Sequence, residues 1–409
     1  VHEGIDDSVM AAVAAVFVVW AVWSRSLERR NVGAPIAFVV AGAALTIGSD
    51  PILEISLRSE ALLELTEIAL ALVLFGDAAT VPLRRLRAEA VLPARLLGLG
   101  LPLTMAIGTL AAHWLLPGIS WWVAAAIGAS VAPTDAALGA AIVEDERVPA
   151  RIRRLLNVES GLNDGIVTPF VSFFLLAAVV GTSLEEVSLV GAAAELAIGV
   201  AVGAVVGVAC ARALSAARRA GWAEAATLPI AALATAVGCF AGAGWVGGNG
   251  FVAAFVGGLA YGAAAREQLE GSLALTHQVG QVLSSIVWFL FGAVVLDALA
   301  DAGWREVAFA AVALTVARMG PVALALVGTG FDRATVGVVG WFGPRGLASV
   351  VFALLASQAL PPDAASVALG AISATVLASV VLHGLSASPL AGRYGASHAE
   401  PGGAFTPDG

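Results

Sequence analysis

Apolar residues in this chain come in long runs, interrupted by charged or Pro/Gly-rich stretches rather than alternating with polar residues. A helix that crosses a bilayer needs about 20 mostly apolar residues. By that measure thirteen runs predict thirteen spanning helices, near 8–24, 33–49, 62–83, 94–116, 120–143, 152–180, 187–213, 224–243, 248–265, 274–299, 305–329, 334–359 and 364–389. The stretch "AGAGWVGGNG" between the eighth and ninth reads as a turn between two helices or as a break within one irregular segment. After Ala391 the chain turns Gly/Pro-rich, and residues 392–409 are expected to form a disordered cytoplasmic tail. No separate soluble domain is visible, so residues 1–391 form one transmembrane unit.

Composition agrees. The 409 residues are 59% hydrophobic and 12% charged, with mean hydropathy +0.92, where a soluble domain has about 25% charged residues. An all-α polytopic membrane protein is the expectation. The net charge of -9 says little about partners, since charge distribution matters more than its sum in such proteins, and no nucleic-acid partner is expected. Cys210 and Cys239 lie in apolar runs and read as small buried hydrophobes rather than as a disulfide or metal pattern. All 21 basic residues are arginine, so no lysine can carry a proton inside the membrane. The acidic start "VHEGIDD" precedes the first arginines, the reverse of a signal peptide, so the first span is expected to be retained.

The arginines set the orientation. With the N-terminus outside, the inside loops hold Arg25, Arg29, Arg30, Arg84, Arg85, Arg87, Arg95, Arg147, Arg151, Arg153, Arg154, Arg212, Arg218, Arg219, Arg266, Arg333 and Arg393. Only Arg58 and Arg305 fall outside, seventeen against two, which is the positive-inside bias of an N-out, C-in protein.

The remaining arginines, Arg318 and Arg345, lie within spans, as do Asp77, Asp135, Glu159 and Asp164. A charge at the bilayer centre costs about 2.5 to over 10 kcal/mol, so it faces a partner or a wet cavity and marks function by default. Two of these charges sit beside broken helices. The fifth span carries "GASVAPTDAALGAA" and the twelfth "GWFGPRGLASVV". A proline inside a helix has no N–H to donate and clashes with the carbonyl four residues back, so Pro133 should free the carbonyl of Ala129 and Pro344 that of Gly340. Broken backbone at that depth is tolerated only inside protein or beside water. The two breaks are seven spans apart, so their helices run in opposite directions. That predicts two inverted six-helix repeats, about 8–180 and 224–389, with 187–213 as connector. Arg345 would then neutralise carbonyls at the C-terminal end of one half-helix, and Asp135 would serve the N-terminal end of another.

The polar stretch "ESGLNDG" at 159–165 interrupts an apolar segment. On a helix, residues four apart share a face. Ser160 and Asp164 therefore line one stripe, Glu159 and Asn163 the next, while Gly161 and Gly165 make a small face for close packing. At about 1.5 Å per residue, Asp77, Asp135 and Asp164 reach a similar depth on the cytoplasmic side of centre. Carboxylate and hydroxyl oxygens suit a hard cation such as Na⁺, and a carboxylate can hold a proton instead.

These motifs carry a resemblance. "LFGDAA", "APTD", "LNVESGLNDG" and "GPRGLASVVFAL" make nearly the whole chain resemble the sodium/proton antiporters of the cation:proton antiporter-1 group, in its prokaryotic NhaP-type members. The resemblance implies a thirteen-helix fold with inverted six-helix repeats, discontinuous crossed helices and a homodimer in the cell membrane. It implies Asp164 as the carboxylate that binds cation and proton, with Asp135, Ser160 and the Thr134 main chain as co-ligands of a monovalent cation. Asn163 would be structural or tuning, and Glu159 the ion-pair partner of Arg318, with Arg345 the alternative. Asp77 stands where relatives often have glutamate. Relatives with Asp-Asp in place of Asn163-Asp164 and an intramembrane lysine are electrogenic, so this chain resembles the electroneutral branch, which exchanges one proton for one cation.

The expected function is therefore Na⁺ (or Li⁺)/H⁺ antiport, with K⁺/H⁺ antiport on the same scaffold as the alternative; the protein is a transporter rather than an enzyme and needs no cofactor. A cation channel would need a continuous polar pore, whereas these charges form one layer. An intramembrane aspartyl protease would need Tyr-Asp and Gly-x-Gly-Asp motifs that are not here. None of His2, His113, His277, His383 and His398 is expected in the carboxylate layer.

Overall fold

The computed structural model describes residues 7–30, 32–47, 60–81, 90–135, 138–143, 145–180, 189–265, 271–300 and 302–398. Arg58, Arg84, Arg85, Arg87 and Arg266, used above for orientation, lie outside the described residues. Among those described, every regular element is helical. In chain order they are α1 (Asp7–Glu28), α2 (Ala34–Thr46), α3 (Glu60–Thr80), α4 (Val91–Arg95), α5 (Leu101–Leu115), α6 (Trp121–Ser130), α7 (Ala140–Val143) and α8 (Ala150–Val180). There follow α9 (Leu189–Arg219), α10 (Leu228–Trp245), α11 (Gly250–Ala265), α12 (Ala274–Ala300), α13 (Trp304–Leu314) and α14 (Val316–Ala325). The last three are α15 (Arg333–Trp341), α16 (Leu347–Ala359) and α17 (Pro362–His398). A π-helical turn, Leu96–Gly100, joins α4 to α5. Among the described residues eight helical stretches are long and apolar enough to cross a membrane, and α2, α6, α11 and α16 are shorter apolar helices. The protein is an integral, multi-pass membrane protein.

Packing sorts the helices into two bundles, each drawing on both halves of the chain. In one, α2 and α3 pack on α11 and α12, and α9 and α10 pack on α11. In the other, α5 and α6 pack together, α8 lies on α6, and α13 and α16 pack on α17. Contacts of α3 and α11 with α8, and of α3 and α12 with α16, join the two. The α9–α11 seam is very close. Gly199, Gly203 and Gly207 recur every fourth residue, and a Cβ on any of them would collide with the backbone of Asn249, Ala253 or Gly257. Without a hydrophobic drive between helices in lipid, such small-residue stripes let dispersion hold them.

"AGAGWVGGNG" is a turn between two helices. Gly247 takes φ +74°, a left-handed conformation that favours glycine, and the Gly248 N–H closes α10 on the Ala243 carbonyl at 2.8 Å. The eleventh run is interrupted at Thr315, which has φ −112° and ψ −85°, a kink that hydropathy alone does not signal. The C-terminus corrects the sequence reading as well: α17 continues to His398, so residues 392–398 are helical rather than disordered. The composition hid an anchoring face. Ala391 and Tyr394 are buried, the Tyr394 hydroxyl meets Thr335 Oγ1 at 2.8 Å, and His398 Nε2 lies 3.1 Å from Asp332.

Candidate functional site

Two helices stop at mid-fold and hand over to extended chain. The chain after α6 runs through Val131–Asp135, and the chain between α15 and α16 through Phe342–Gly346. They cross, and the Asp135 N–H donates to the Pro344 carbonyl at 2.8 Å. Arg345 is wholly buried. Its guanidinium donates to the carbonyls of Ala132 at 2.9 Å, Pro133 at 3.2 Å and, at the α13–α14 kink, Ala313 at 3.0 Å. A cation is thus set against the negative end of α6. At the start of α16 the Leu347 N–H donates to Asp135 Oδ2 at 3.2 Å, an anion at a positive helix end. Gly346 is needed for this approach, because a Cβ there would sit inside the Asp135 carboxyl group.

The first break frees other carbonyls than the proline rule indicated. That of Ala129 accepts from the Ala132 N–H at 3.0 Å in a tight turn. It is Ser130 that needs an outside donor and receives the Ser349 hydroxyl at 2.7 Å, while Ala132 and Pro133 receive Arg345. The chain tightens after α6 before it extends, which moves the unpaired carbonyls downstream.

The helix α8 supplies the second wall. Glu159, on one stripe, forms a bidentate pair with Arg318 of α14: Nη1 donates to Oε1, and Nη2 to Oε2 at 2.9 Å. Both residues are 3% exposed. On the neighbouring faces the Thr134 hydroxyl lies 3.1 Å from Ser160 Oγ and accepts from Asn163 Nδ2 at 2.6 Å, which fastens α8 to the first crossed chain. The small face divides: Gly165 packs on the Phe255 ring of α11, whereas Gly161 looks toward Asp77.

A cavity of about 400 Å³ opens between the bundles, and Asp77, Asp135, Ser160 and Asp164 all line it. The three carboxylates are partly accessible from it. Asp164 Oδ1 is buried and has no hydrogen-bond partner among the described residues. No ion pair there engages Asp77 or Asp164, since Arg318 is held by Glu159. No group of three or more His, Cys, Asp or Glu side chains among the described residues is placed to hold a metal ion. A monovalent cargo ion would instead take one or two carboxylates together with hydroxyl, carbonyl and water oxygens.

The opposite cavity wall is α12, which the sequence reading missed. His277, Gln281 and Ser285 recur every fourth residue and line the cavity with Thr276 and Ser284. This corrects the expectation that no histidine reaches the carboxylate layer. The signal was present in "THQVGQVLSS": polar residues at helical spacing within an apolar run.

Broken helices crossing beside cavity-lining carboxylates, in an all-helical polytopic membrane fold, are the scaffold expected of a secondary transporter. The chain belongs to the sodium/hydrogen exchanger family, whose transmembrane region matches residues 12–392. It is 28% identical over 374 residues to the K(+)/H(+) antiporter NhaP of Alkalimonas amylolytica, covering 90% of this chain and 63% of that protein. It is 32% identical over 160 residues to the sodium, potassium, lithium and rubidium/H(+) antiporter of Bacillus pumilus, covering 38% of this chain and 23% of the relative. The chain thus spans under two thirds of the length of these curated relatives. Its fold is similar to that of the sodium proton antiporter MjNhaP1 from Methanocaldococcus jannaschii, with TM-score 0.74, 19% identity, and 95% of this chain and 99% of the other covered. These relatives are transporters rather than enzymes.

Proposed function

We propose that this protein exchanges Na⁺ or Li⁺ for H⁺ across the cell membrane, one for one, by competition of cation and proton for Asp164. The observation that carries the reading is the buried Asp164 Oδ1, without a hydrogen-bond partner among the described residues, in a cavity shared with Asp135, Ser160 and Asp77. A carboxylate in so little water is poorly solvated when charged and takes up either a proton or a cation. Asp135, Ser160 and the Thr134 main chain supply further oxygens, with Asp77 lining the same cavity. Asn163 adds no second titrating charge, so each turnover swaps one positive charge for another. The supporting scaffold has thirteen spans in two inverted repeats, N-out and C-in, and works as a homodimer.

The test is proton flux in proteoliposomes holding a pH gradient, with Na⁺, Li⁺ and K⁺ added in turn. Na⁺ or Li⁺ should collapse the gradient without responding to an imposed voltage. Raising cation concentration should move the acid limb of the pH profile to lower pH. Cation flux without proton counterflow would make the protein a channel instead. K⁺ is the second reading, favoured by the K(+)/H(+) name of the relative that matches 90% of this chain; exchange with K⁺ and not Na⁺ would select it.

A further inference from the structure

Behind the crossing, one stripe of α17 closes the break in the second crossed chain. Ser379 and His383 are one turn apart and 0% and 1% exposed. The Arg345 N–H donates to Ser379 Oγ at 2.7 Å. That Oγ lies 3.0 Å from His383 Nδ1, which is also 2.9 Å from the Ser379 carbonyl. On the other side of the ring, His383 Nε2 is 2.9 Å from the Trp341 carbonyl. One turn further, Ser386 Oγ accepts from the Trp341 indole N–H at 2.9 Å. In the tautomer where Nδ1 accepts the Ser379 hydroxyl proton, Nε2 carries the ring proton and donates to the Trp341 carbonyl, which can only accept. An amide N–H can only donate, so the Ser379 hydroxyl keeps its own proton for a neighbour. The two residues therefore bond backbone groups at both ends of the break: the last carbonyl of α15, which also accepts from the Gly343 N–H at 2.8 Å, and the amide two residues before α16.

We propose that Ser379 and His383 are positioning residues for cation binding, which set where the second crossed chain, and through it the Asp135 carboxylate, stands. This rests on the reading of Asp135 as part of the transport site. The path is continuous. His383 and Ser379 hold Trp341 and Arg345; next to Arg345, Pro344 accepts from the Asp135 N–H at 2.8 Å. From the other side, Leu347 donates to the Asp135 carboxylate at 3.2 Å. The chain between has little slack, because Gly346 lies against that carboxylate with no room for a side-chain atom. Neither Ser379 nor His383 lines the cavity, so their influence on the ion passes through the crossing. Binding groups held by supporting hydrogen bonds lose function when the support loosens by about 1 Å.

The experiment compares wild type, His383→Leu, His383→Gln and Ser379→Ala in proteoliposomes. It reads KM and maximal rate for Na⁺-driven proton flux, and monodispersity in detergent. His383→Leu should raise KM about tenfold or more, the scale expected for a misplaced binding group. His383→Gln keeps a donor for the Trp341 carbonyl and should bring KM back close to wild type. A monodisperse His383→Leu protein with wild-type KM would overturn the proposal, as would glutamine performing no better than leucine. If His383→Leu fails to fold, Ser379→Ala decides: a raised KM supports the proposal, and a wild-type KM overturns it. Absence of wild-type exchange with Na⁺, Li⁺ and K⁺ alike would overturn the antiport reading and this inference with it; if K⁺ alone is exchanged, the same KM comparison is made with K⁺.

Discussion

Replacing Arg318 with methionine would leave the Glu159 carboxylate 3% exposed and without the guanidinium that now fills both its oxygens. The magnitude follows in two ways. Two hydrogen bonds to a charged group are worth about 1.5–3 kcal/mol each. Removing one member of a buried ion pair costs about 3–5 kcal/mol, because the other charge stays buried and uncompensated. Arg318→Met should therefore lose about 3–5 kcal/mol of stability, and Glu159→Met a similar amount. Replacing both with apolar residues of similar volume removes two desolvation penalties together and should be close to neutral. The cycle then gives a coupling of about 6–10 kcal/mol, large against the roughly 0.5 kcal/mol scatter of independent sites. Unfolding of the four proteins in mixed micelles measures it, with Na⁺ KM determined on the same preparations. Neither residue lines the cavity, so KM should change less than stability does. Additive free energies, or a KM that collapses while stability holds, would refute the assignment of the pair to structure.

Asp164→Asn should abolish exchange while the protein still inserts and folds, Asp135→Asn should be severely impaired and Asp77→Asn less so; wild-type flux from Asp164→Asn would remove that residue from the site. Gly346→Ala should fail to yield active protein, since its methyl group would occupy the space of the Asp135 carboxyl group, and normal flux from this variant would show that the crossing is looser than described. At the entry to α15, Asp332 accepts from the Thr335 N–H at 2.9 Å. Hydrogen bonds to Thr335, with His398 nearby, hold its carboxyl down to about 2. Its folded pKa lies below the unfolded value of about 3.9, so its stabilisation is present above that value and is lost as pH falls through about 2. Asp332→Ala should accordingly lower the unfolding midpoint at neutral pH, with the gap to wild type closing in that acid window; a gap independent of pH would argue against a charged cap.

Much of the site can be read locally. "APTD" and "GPRG" mark the two breaks because proline forbids continuous helix, whatever surrounds it. "ESGLNDG" shows its stripes because helical spacing decides which neighbours share a face. Other features resist such reading. Hydropathy carries no trace of the Thr315 kink, and Gly/Pro content obscured the docking face of Tyr394. The histidine on α12 was legible as a stripe with Gln281 and Ser285, yet only packing shows that this stripe faces the aspartates.

An all-helical membrane protein with buried charges beside two broken helices follows from local residue patterns alone, because length, hydropathy and backbone chemistry act over a few residues at a time. Tertiary structure decided which charge meets which. Glu159 and Arg318 are 159 residues apart, and Arg345 reaches carbonyls more than 200 residues away. Both arginines were chemically able to partner Glu159. The choice came from helix packing, which sets Arg318 against α8 and turns Arg345 toward the bare end of α6. It is likewise packing that placed Ser379 and His383 behind the crossing, within hydrogen-bond reach of the broken chain's backbone.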